Sequence, residues 1–384
     1  MYNKKLVFWS ACTGMLIFGI CLISLGSVAP DLREKLNLND VASGALFSIL
    51  PFGVLAGSLV FGPVADRNGY RMLMVISCLL MAAGFEGIAF TENTGILKIY
   101  ILFIGLGGGI INGSTNAMVS DISDKNKGAN LSLLGVFFGI GALGMPLLLG
   151  LLESSFTFDK IVAAIGVFVL AAGVIFIFIS FPPAKQESSS PFKGIKELSR
   201  ESTLLLIAFF LFFQSSFEGI INNWTTTYLT GYLSVPQNIA LYGLSLFVAG
   251  MAVMRFLSGT LLANVQVRKI LLISYVLIIA ALVMLRFSGT HFLSIGGLFL
   301  LGAGLAGGFP IMLGFVGEQY AALSGTAFSF VLVVGLAGNM IINYLMGIIS
   351  QAFGIQHVVT VAFIEALMLI LLCMIILKRL NKHQ

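Results

Sequence analysis

The feature that most constrains the fold is a succession of twelve apolar runs separated by short polar breaks. A helix that crosses a lipid bilayer needs about 20 mainly apolar residues, and each run provides them. Of the 384 residues, 58% are hydrophobic and 10% are charged, whereas roughly 25% are charged in an ordinary soluble domain. We therefore predict an all-α membrane protein with twelve transmembrane helices. The predicted spans are residues 6–30, 41–61, 72–90, 96–120, 130–152, 160–181, 203–229, 238–262, 269–287, 292–317, 325–350 and 357–377.

Lys and Arg are distributed unevenly between alternate loops. If both termini are cytoplasmic, the inner segments hold most of the 21 basic residues, as expected from the preference of cationic flanks for the cytoplasmic side. The outer loops then hold only Arg33, Lys35, Lys98, Lys160 and Arg286. This bias favours an even number of spans with cytoplasmic termini. It also explains the net charge of +5, so no nucleic-acid partner is required.

The cysteines give no sign of a metal or redox site. Cys12, Cys21, Cys78 and Cys373 all lie within apolar spans, without the C-x-x-C spacing that such a site uses. We interpret them as small packing residues and expect neither a metal nor a cofactor. The first span is too long, and lacks a small-residue cleavage site, for a removed signal peptide, so we expect it to remain in the mature protein.

A polar segment rich in Pro, Ser and charge divides the chain nearly in half. It predicts an N-terminal six-helix bundle over 1–181, a cytoplasmic linker over 182–202 and a C-terminal six-helix bundle over 203–384. The halves resemble each other, because a shift of 197 residues superposes seven pairs of glycines. The pairs are Gly53 and Gly250, Gly62 and Gly259, Gly105 and Gly302, Gly107 and Gly304, Gly128 and Gly325, Gly141 and Gly338, and Gly150 and Gly347. We infer that a six-span unit was duplicated.

The segment GPVADRNGYR after the second span is similar to the signature between helices 2 and 3 of the major facilitator superfamily. The resemblance implies two six-helix halves, a substrate site between them near the midplane, and alternating access. It also implies a cytoplasmic gate of ion pairs that exist only when the mouth is closed, although a solvated turn with cytoplasmic positive charge remains an alternative. The predicted gating residues are Gly62, Asp66, Arg67, Gly69, Arg71, Asp121, Arg255, Arg268 and Glu318.

Acidic residues occur at the cytoplasmic ends of two predicted spans, as is common in the superfamily. Asp121 ends the fourth span and Glu318 the tenth. We expect each to pair with Arg71, Arg268 or Arg255 as part of the gate. For Arg255, which falls within the eighth span, a structural partner such as Glu318 is favoured over a substrate.

Softer motifs resemble the fucose permease branch, whose members are sugar:proton symporters. They include GLGGGIINGSTNAMVSD from Gly105, EGIINNWTTTYL from Glu218 and GNMIINYLMGII from Gly338. Two carboxylates of that branch are missing, because Gly26 and Asn112 stand at their positions. Neither fucose nor the branch's coupling mechanism can therefore be carried over.

Polar residues at helical spacing predict a wet cavity, because buried polar groups in a bundle within lipid are costly. Gln214, Glu218 and Asn222 recur every four residues on the seventh span and so share a face. Asn112 and Asn116 have the same spacing on the fourth span and should share a face there. The full set of candidate substrate-binding residues is Glu218, Asn222, Asn112, Asn116, Trp224, Gln214 and Asn343. Amides, one carboxylate and an indole suit a neutral polyhydroxylated solute. The amides could instead be hydrogen bonds between helices, and Trp224 an interfacial anchor.

Glu218 is also the candidate for proton coupling. A carboxyl group that leaves water favours its neutral form, so a midplane glutamate can gain and lose a proton as the cavity opens to either side. The leading hypothesis is thus a monomeric secondary transporter in a bacterial inner membrane that imports a sugar or similar neutral solute with protons. The main alternative is an exporter of lipophilic compounds, suggested by 33 Phe and 15 Met. A membrane enzyme or sensor is disfavoured, because the chain carries no recognisable catalytic motif.

Overall fold

The computed structural model describes residues 2–123, 127–183, 200–259, 265–287, 290–320 and 324–380. Within these ranges the chain forms fourteen α-helices. In the first half they are α1 (Lys4–Ser27), α2 (Ala29–Leu36), α3 (Asp40–Asn68), α4 (Tyr70–Phe90), α5 (Thr94–Ile122), α6 (Lys127–Leu152) and α7 (Phe158–Ile177). In the second half they are α8 (Ser202–Gly231), α9 (Gln237–Gly259), α10 (Val267–Arg286), α11 (His291–Leu305), α12 (Gly308–Gln319), α13 (Ser324–Phe353) and α14 (His357–Leu380).

Twelve helical segments in the described part of the chain are long and apolar enough to cross a membrane. Each begins and ends close to a span predicted from hydropathy, so the predicted number of spans is confirmed. Large apolar side chains remain exposed on their outer faces, among them Val167, Val174 and Phe178 in and just after α7. In water such a surface would be unfavourable, whereas lipid is its natural solvent. The chain is therefore an integral, multi-pass membrane protein.

The helices form two compact units, Met1–Ser189 and Ser190–Gln384. The boundary falls inside the linker predicted over 182–202, of which residues 184–199 lie outside the described residues. In the first unit α1 packs on α5 and α6, α3 on α5, and α4 on α5 and α7. In the second unit α8 packs on α13 and α14, and α9 and α10 pack on α11.

The predicted first span, residues 6–30, extends three residues beyond the end of the helix. The helix α1 ends at Ser27, and a separate short helix, α2, begins at Ala29. Pro30 accounts for the break, because proline lacks the N–H that would continue α1 but fits the first turn of a new helix. Lys35 anchors α2: its ammonium donates to the Ala89 carbonyl at 2.6 Å and lies 3.5 Å from an Asp159 carboxylate oxygen.

The GPVADRNGYR segment was predicted to connect the spans 41–61 and 72–90 as a loop, and this prediction is wrong because most of it is helical. The helix α3 continues to Asn68, so Gly62, Asp66 and Arg67 have helical backbone; the side chains of the last two lie outside the described residues. The break is at Gly69, whose φ of 75° favours glycine and whose N–H bonds the Ala65 carbonyl at 2.8 Å. Arg71 already belongs to α4.

The predicted tenth span is interrupted. It consists of α11 and α12, which are separated by Ala306 and Gly307. Pro310 has no N–H to bond the Ala306 carbonyl, and two adjacent glycines add backbone freedom. The segment Gly307-Gly308-Phe309-Pro310 therefore breaks the helix near the middle of the membrane span.

The duplication inferred from glycine spacing is confirmed by equivalent packing within each unit. A Cβ added at Gly107 on α5 would lie 2.6 Å from the Ser77 carbonyl oxygen on α4. A Cβ added at Gly304 on α11 would lie 2.8 Å from the Ser274 carbonyl oxygen on α10. Both the glycines and the carbonyls are related by the same shift of 197 residues. Each glycine thus permits the same close helix approach in its own unit.

Candidate functional site

The polar face predicted on the seventh span exists on α8. The Gln214 side-chain nitrogen, Nε2, donates to Glu218 Oε1 at 2.8 Å, one turn along the helix. Gln214 is 2% exposed, whereas Glu218 and Asn222 are partly exposed. The face therefore runs from a buried amide to a carboxyl group and a second amide on partly exposed residues.

Gln214 also holds the break in the tenth span. The same Nε2 donates to the Leu305 carbonyl oxygen at 2.9 Å, at the end of α11. In an unbroken helix that carbonyl would bond the N–H four residues later. Gly308 is needed beside it, because a Cβ there would lie 2.6 Å from Gln214 Oε1. One amide thus connects the Glu218 carboxyl to the interrupted helix.

Two further groups complete this face. The Asn222 side-chain oxygen, Oδ1, is buried and has no hydrogen-bond partner among the described residues. Buried polar atoms are normally paired, so this oxygen is an acceptor that the described residues leave unused. Arg255 on α9 interacts electrostatically with the Glu218 carboxyl, and its side chain is exposed. We therefore define the α8 site as Gln214, Glu218, Asn222, Arg255 and the Leu305 carbonyl.

Asn343 lies in a different environment from the α8 site. It is 0% exposed, and its side-chain oxygen accepts from Asn223 Nδ2 at 3.1 Å. Its own amide donates to the Asn339 side-chain oxygen at 2.9 Å, and Asn339 Nδ2 donates to the Ser215 carbonyl at 3.0 Å. Gly219 makes room, because a Cβ there would lie 2.5 Å from Asn339 Nδ2. These amides form a ladder between α8 and α13, as polar residues between membrane helices commonly do.

Trp224 is fully enclosed, with 0% of its surface exposed. Stacking on a sugar would therefore require a movement of α8 or of its neighbours. The indole does not project as an anchor from the end of the helix, because buried residues continue on α8 to Leu229.

The first unit contributes a second pair of polar residues. Asn116 on α5 is exposed, and its Nδ2 donates to the Asn112 side-chain oxygen at 3.0 Å. The predicted shared face of Asn112 and Asn116 is thus present. Asn116 Nδ2 also lies 3.9 Å from the Met15 sulfur on α1, so α1 and α5 border this face together.

The predicted gating residues are only partly brought together. Asp121, at the end of α5, accepts a hydrogen bond of 2.6 Å from the Tyr70 hydroxyl at the start of α4. Arg71 Nε donates to the Ile179 carbonyl at 3.1 Å, just after α7. In the second unit Arg268 and Glu318 are exposed. The structure thus gives Asp121 a partner, Tyr70, that sequence reasoning did not name.

Comparisons with known proteins agree with this architecture. Residues 11–262 match the family model described as Major Facilitator Superfamily. The glucose/mannose transporter GlcP of Bacillus subtilis (strain 168) is 25% identical over 355 residues, which cover 86% of this chain and 84% of that protein. The sodium-dependent glucose transporter 1 of Xenopus laevis is 23% identical over 360 residues, with 86% and 73% covered. A crystal structure of the nucleoside transporter NupG aligns over 98% of this chain and 99% of that one, with a TM-score of 0.78 at 17% identity.

Proposed function

Because the chain belongs to the major facilitator superfamily, we propose that it is a secondary active transporter that takes up a hexose or a similar neutral polar solute together with protons. Alternating access would carry the solute across the membrane. Two of the relatives are named as transporters of glucose or mannose. We further propose that the protein works as a monomer in a bacterial cytoplasmic membrane, with both termini on the cytoplasmic side.

The observation that carries the substrate proposal is the unpaired acceptor of the α8 site. When the site opens, the enclosed Asn222 Oδ1 and the Glu218 carboxyl would accept from sugar hydroxyls, and Arg255 would donate to them. A site that pairs each hydroxyl group discriminates strongly against analogues that lack one. We propose Asn112 and Asn116 of the first unit as additional solute contacts, because they present amide groups on a partly exposed face. Asn343 and Trp224, which are fully buried, would act by shaping the site.

We propose that Glu218 carries the coupled proton. It is the carboxyl group of the α8 site, and its interactions with Gln214 and Arg255 both depend on its charge. A charged carboxylate would accept more strongly from Gln214 and attract Arg255, and protonation would weaken both interactions. The same Gln214 bonds the backbone where the tenth span is interrupted, so a proton on Glu218 would weaken its hold on the break between α11 and α12.

The test is uptake of labelled glucose, mannose, galactose, fucose and N-acetylglucosamine into proteoliposomes. Each sugar is measured with an inward proton gradient, with an inward sodium gradient, and with neither. We expect one or two hexoses to accumulate with the proton gradient and a protonophore to abolish the accumulation. Accumulation driven by sodium alone would overturn proton coupling. Absence of uptake for every sugar would overturn the substrate class and favour export of lipophilic compounds.

A further inference from the structure

A second carboxyl group is buried in the second unit, away from the α8 site. Glu365 on α14 is 2% exposed and lies against Ser216 of α8. Ser216 and Glu218 are two residues apart, so they point to nearly opposite sides of α8. Glu365 therefore belongs to the packing of α14 against α8, and the proposed transport chemistry does not use it.

The hydrogen bonds around Ser216 can be counted. The Ser216 hydroxyl is hydrogen-bonded to Glu365 Oε1 and lies 3.0 Å from the Phe213 carbonyl oxygen, which can only accept. A serine hydroxyl has a single hydrogen. If the carboxyl group donates to Ser216, the Ser216 hydroxyl can donate to Phe213 and each contact has its own hydrogen. A carboxylate would instead compete with the Phe213 carbonyl for the single Ser216 hydrogen, so this geometry favours a proton on Glu365.

The other carboxyl oxygen leads to the same conclusion. Glu365 Oε2 is buried and has no hydrogen-bond partner among the described residues. Glu365 lies on α14, which packs on α8, α10 and α13. Over their described ranges, these four helices contain no Lys or Arg except at the ends of α10 and α14. A buried carboxylate without a counter-charge is very costly, and such a group takes up a proton instead. In the protonated carboxyl group, the unpaired Oε2 is a neutral carbonyl oxygen, which costs far less to bury than an unpaired carboxylate.

We propose that Glu365 is a proton-binding site that stays loaded during transport and makes the carrier sensitive to alkaline pH. Release of the proton would place a negative charge without a cationic partner among the described residues between α8 and α14, and the Ser216 hydroxyl would have to donate to it rather than to the Phe213 carbonyl. Because the folded protein holds a proton that the unfolded chain releases, its stability falls as the pH rises. This site would be present whatever solute the protein carries.

The effect of Glu365 on the pH dependence can be distinguished from that of other titratable groups in the same unit. Cys373 lies two turns along α14, and the Tyr275 hydroxyl of α10 is 3.5 Å from the Leu369 carbonyl. Tyr344 of α13 is exposed, and Glu218 points to the other side of α8. None of the four is altered by a substitution at Glu365, so a difference between wild type and a Glu365 variant reports on this carboxyl.

The experiment measures thermal unfolding of the purified protein from mildly acidic to alkaline pH. Wild type is compared with Glu365→Gln, with a second neutral variant, Glu365→Met, and with Glu92→Gln, which alters an exposed carboxyl, as a control. We expect the melting temperature of wild type and of Glu92→Gln to fall toward alkaline pH, and this fall to be smaller in both Glu365 variants. Parallel curves for all four proteins would overturn the proposal.

Infrared spectroscopy provides an independent readout on folded protein at neutral pH. The carbonyl stretch of a neutral carboxyl group is separate from that of a carboxylate and shifts in heavy water. We expect wild type to show such a band and Glu365→Gln to have lost part of it. An unchanged band in that variant would contradict a proton on Glu365, even if the variant were as stable as wild type.

Discussion

Gln214 Nε2 donates a hydrogen bond of 2.8 Å to Glu218 Oε1, and the same nitrogen lies 2.9 Å from the Leu305 carbonyl oxygen at the break between α11 and α12. The two hydrogens of one amide group thus connect the candidate proton carrier to an interrupted helix. A change in the charge of Glu218 changes the strength of one bond and so the position of the amide that makes the other. We propose that this connection transmits protonation of Glu218 to the break between α11 and α12.

Gly308→Ala tests this connection. The new methyl group would lie 2.6 Å from Gln214 Oε1, so the amide must move away from Leu305. We expect a several-fold lower initial rate of sugar uptake and a loss of stability of about 1–3 kcal/mol, typical of overpacking. The control is Gly314→Ala on the same helix, where nothing lies within 4 Å of the added Cβ. Equal uptake by the two variants would contradict the role given to Gln214.

Asn343 and Asn116 should differ in what they contribute. Asn343→Ala removes the buried partner of Asn223 and should cost about 0.6 kcal/mol of stability, up to about 1.7, as interhelical hydrogen bonds do. Asn116→Ala removes amide bonds to Asn112 on its own helix and should leave the melting temperature unchanged while weakening the apparent affinity for sugar. Measuring both melting temperature and uptake for each variant checks the distinction. The opposite pattern would exchange the proposed roles.

The repeated glycine contacts predict matched effects in the two units. Gly107→Ala and Gly304→Ala would each place a methyl group against a backbone carbonyl of the neighbouring helix. Each should lower stability by about 1–3 kcal/mol, because the backbone cannot yield as a side chain can. Gly139→Ala on α6 has nothing within 4 Å of its added Cβ and should be neutral. Melting temperatures in detergent measure all three, and a neutral Gly107→Ala or Gly304→Ala would contradict the packing.

The hydrogen bond between Tyr70 and Asp121 predicts coupled effects on transport. Tyr70→Phe and Asp121→Asn should each change the uptake rate, and the double variant should change it no more than the stronger single variant. A double-mutant cycle measures this coupling, which for contacting residues is about 0.5–3 kcal/mol. Additive effects of the two substitutions would show that the bond has no part in transport.

Hydropathy was sufficient to predict the spans, because the bilayer fixes how many apolar residues each helix needs. The repeated glycines predicted a duplicated unit, because close contact between helices requires small residues at equivalent positions. What the sequence does not show directly is where helices break. The breaks are signalled by Gly307-Gly308-Phe309-Pro310 and by Pro30. The residues around them are so hydrophobic that a hydropathy pattern predicts uninterrupted spans.

Spacing along one helix predicted the shared faces of Gln214 with Glu218 and of Asn112 with Asn116, and hydrogen bonds confirm both. Spacing along one helix does not predict which residues of other helices become partners. The pairs Asn223 with Asn343, Tyr70 with Asp121 and Ser216 with Glu365 depend on how helices turn toward each other. A single sequence fixes the face that a residue occupies on its own helix, and the neighbour that meets that face is set by the packing.

The most direct test of the account compares sugar accumulation and sugar exchange in proteoliposomes that contain Glu218→Gln. Glu86→Gln, which alters a partly buried carboxyl on α4, serves as the control. Coupling through Glu218 predicts that Glu218→Gln loses accumulation driven by a proton gradient but still exchanges labelled for unlabelled sugar, while the control retains both. Accumulation by Glu218→Gln equal to that of wild type would contradict the central claim that Glu218 carries the coupled proton.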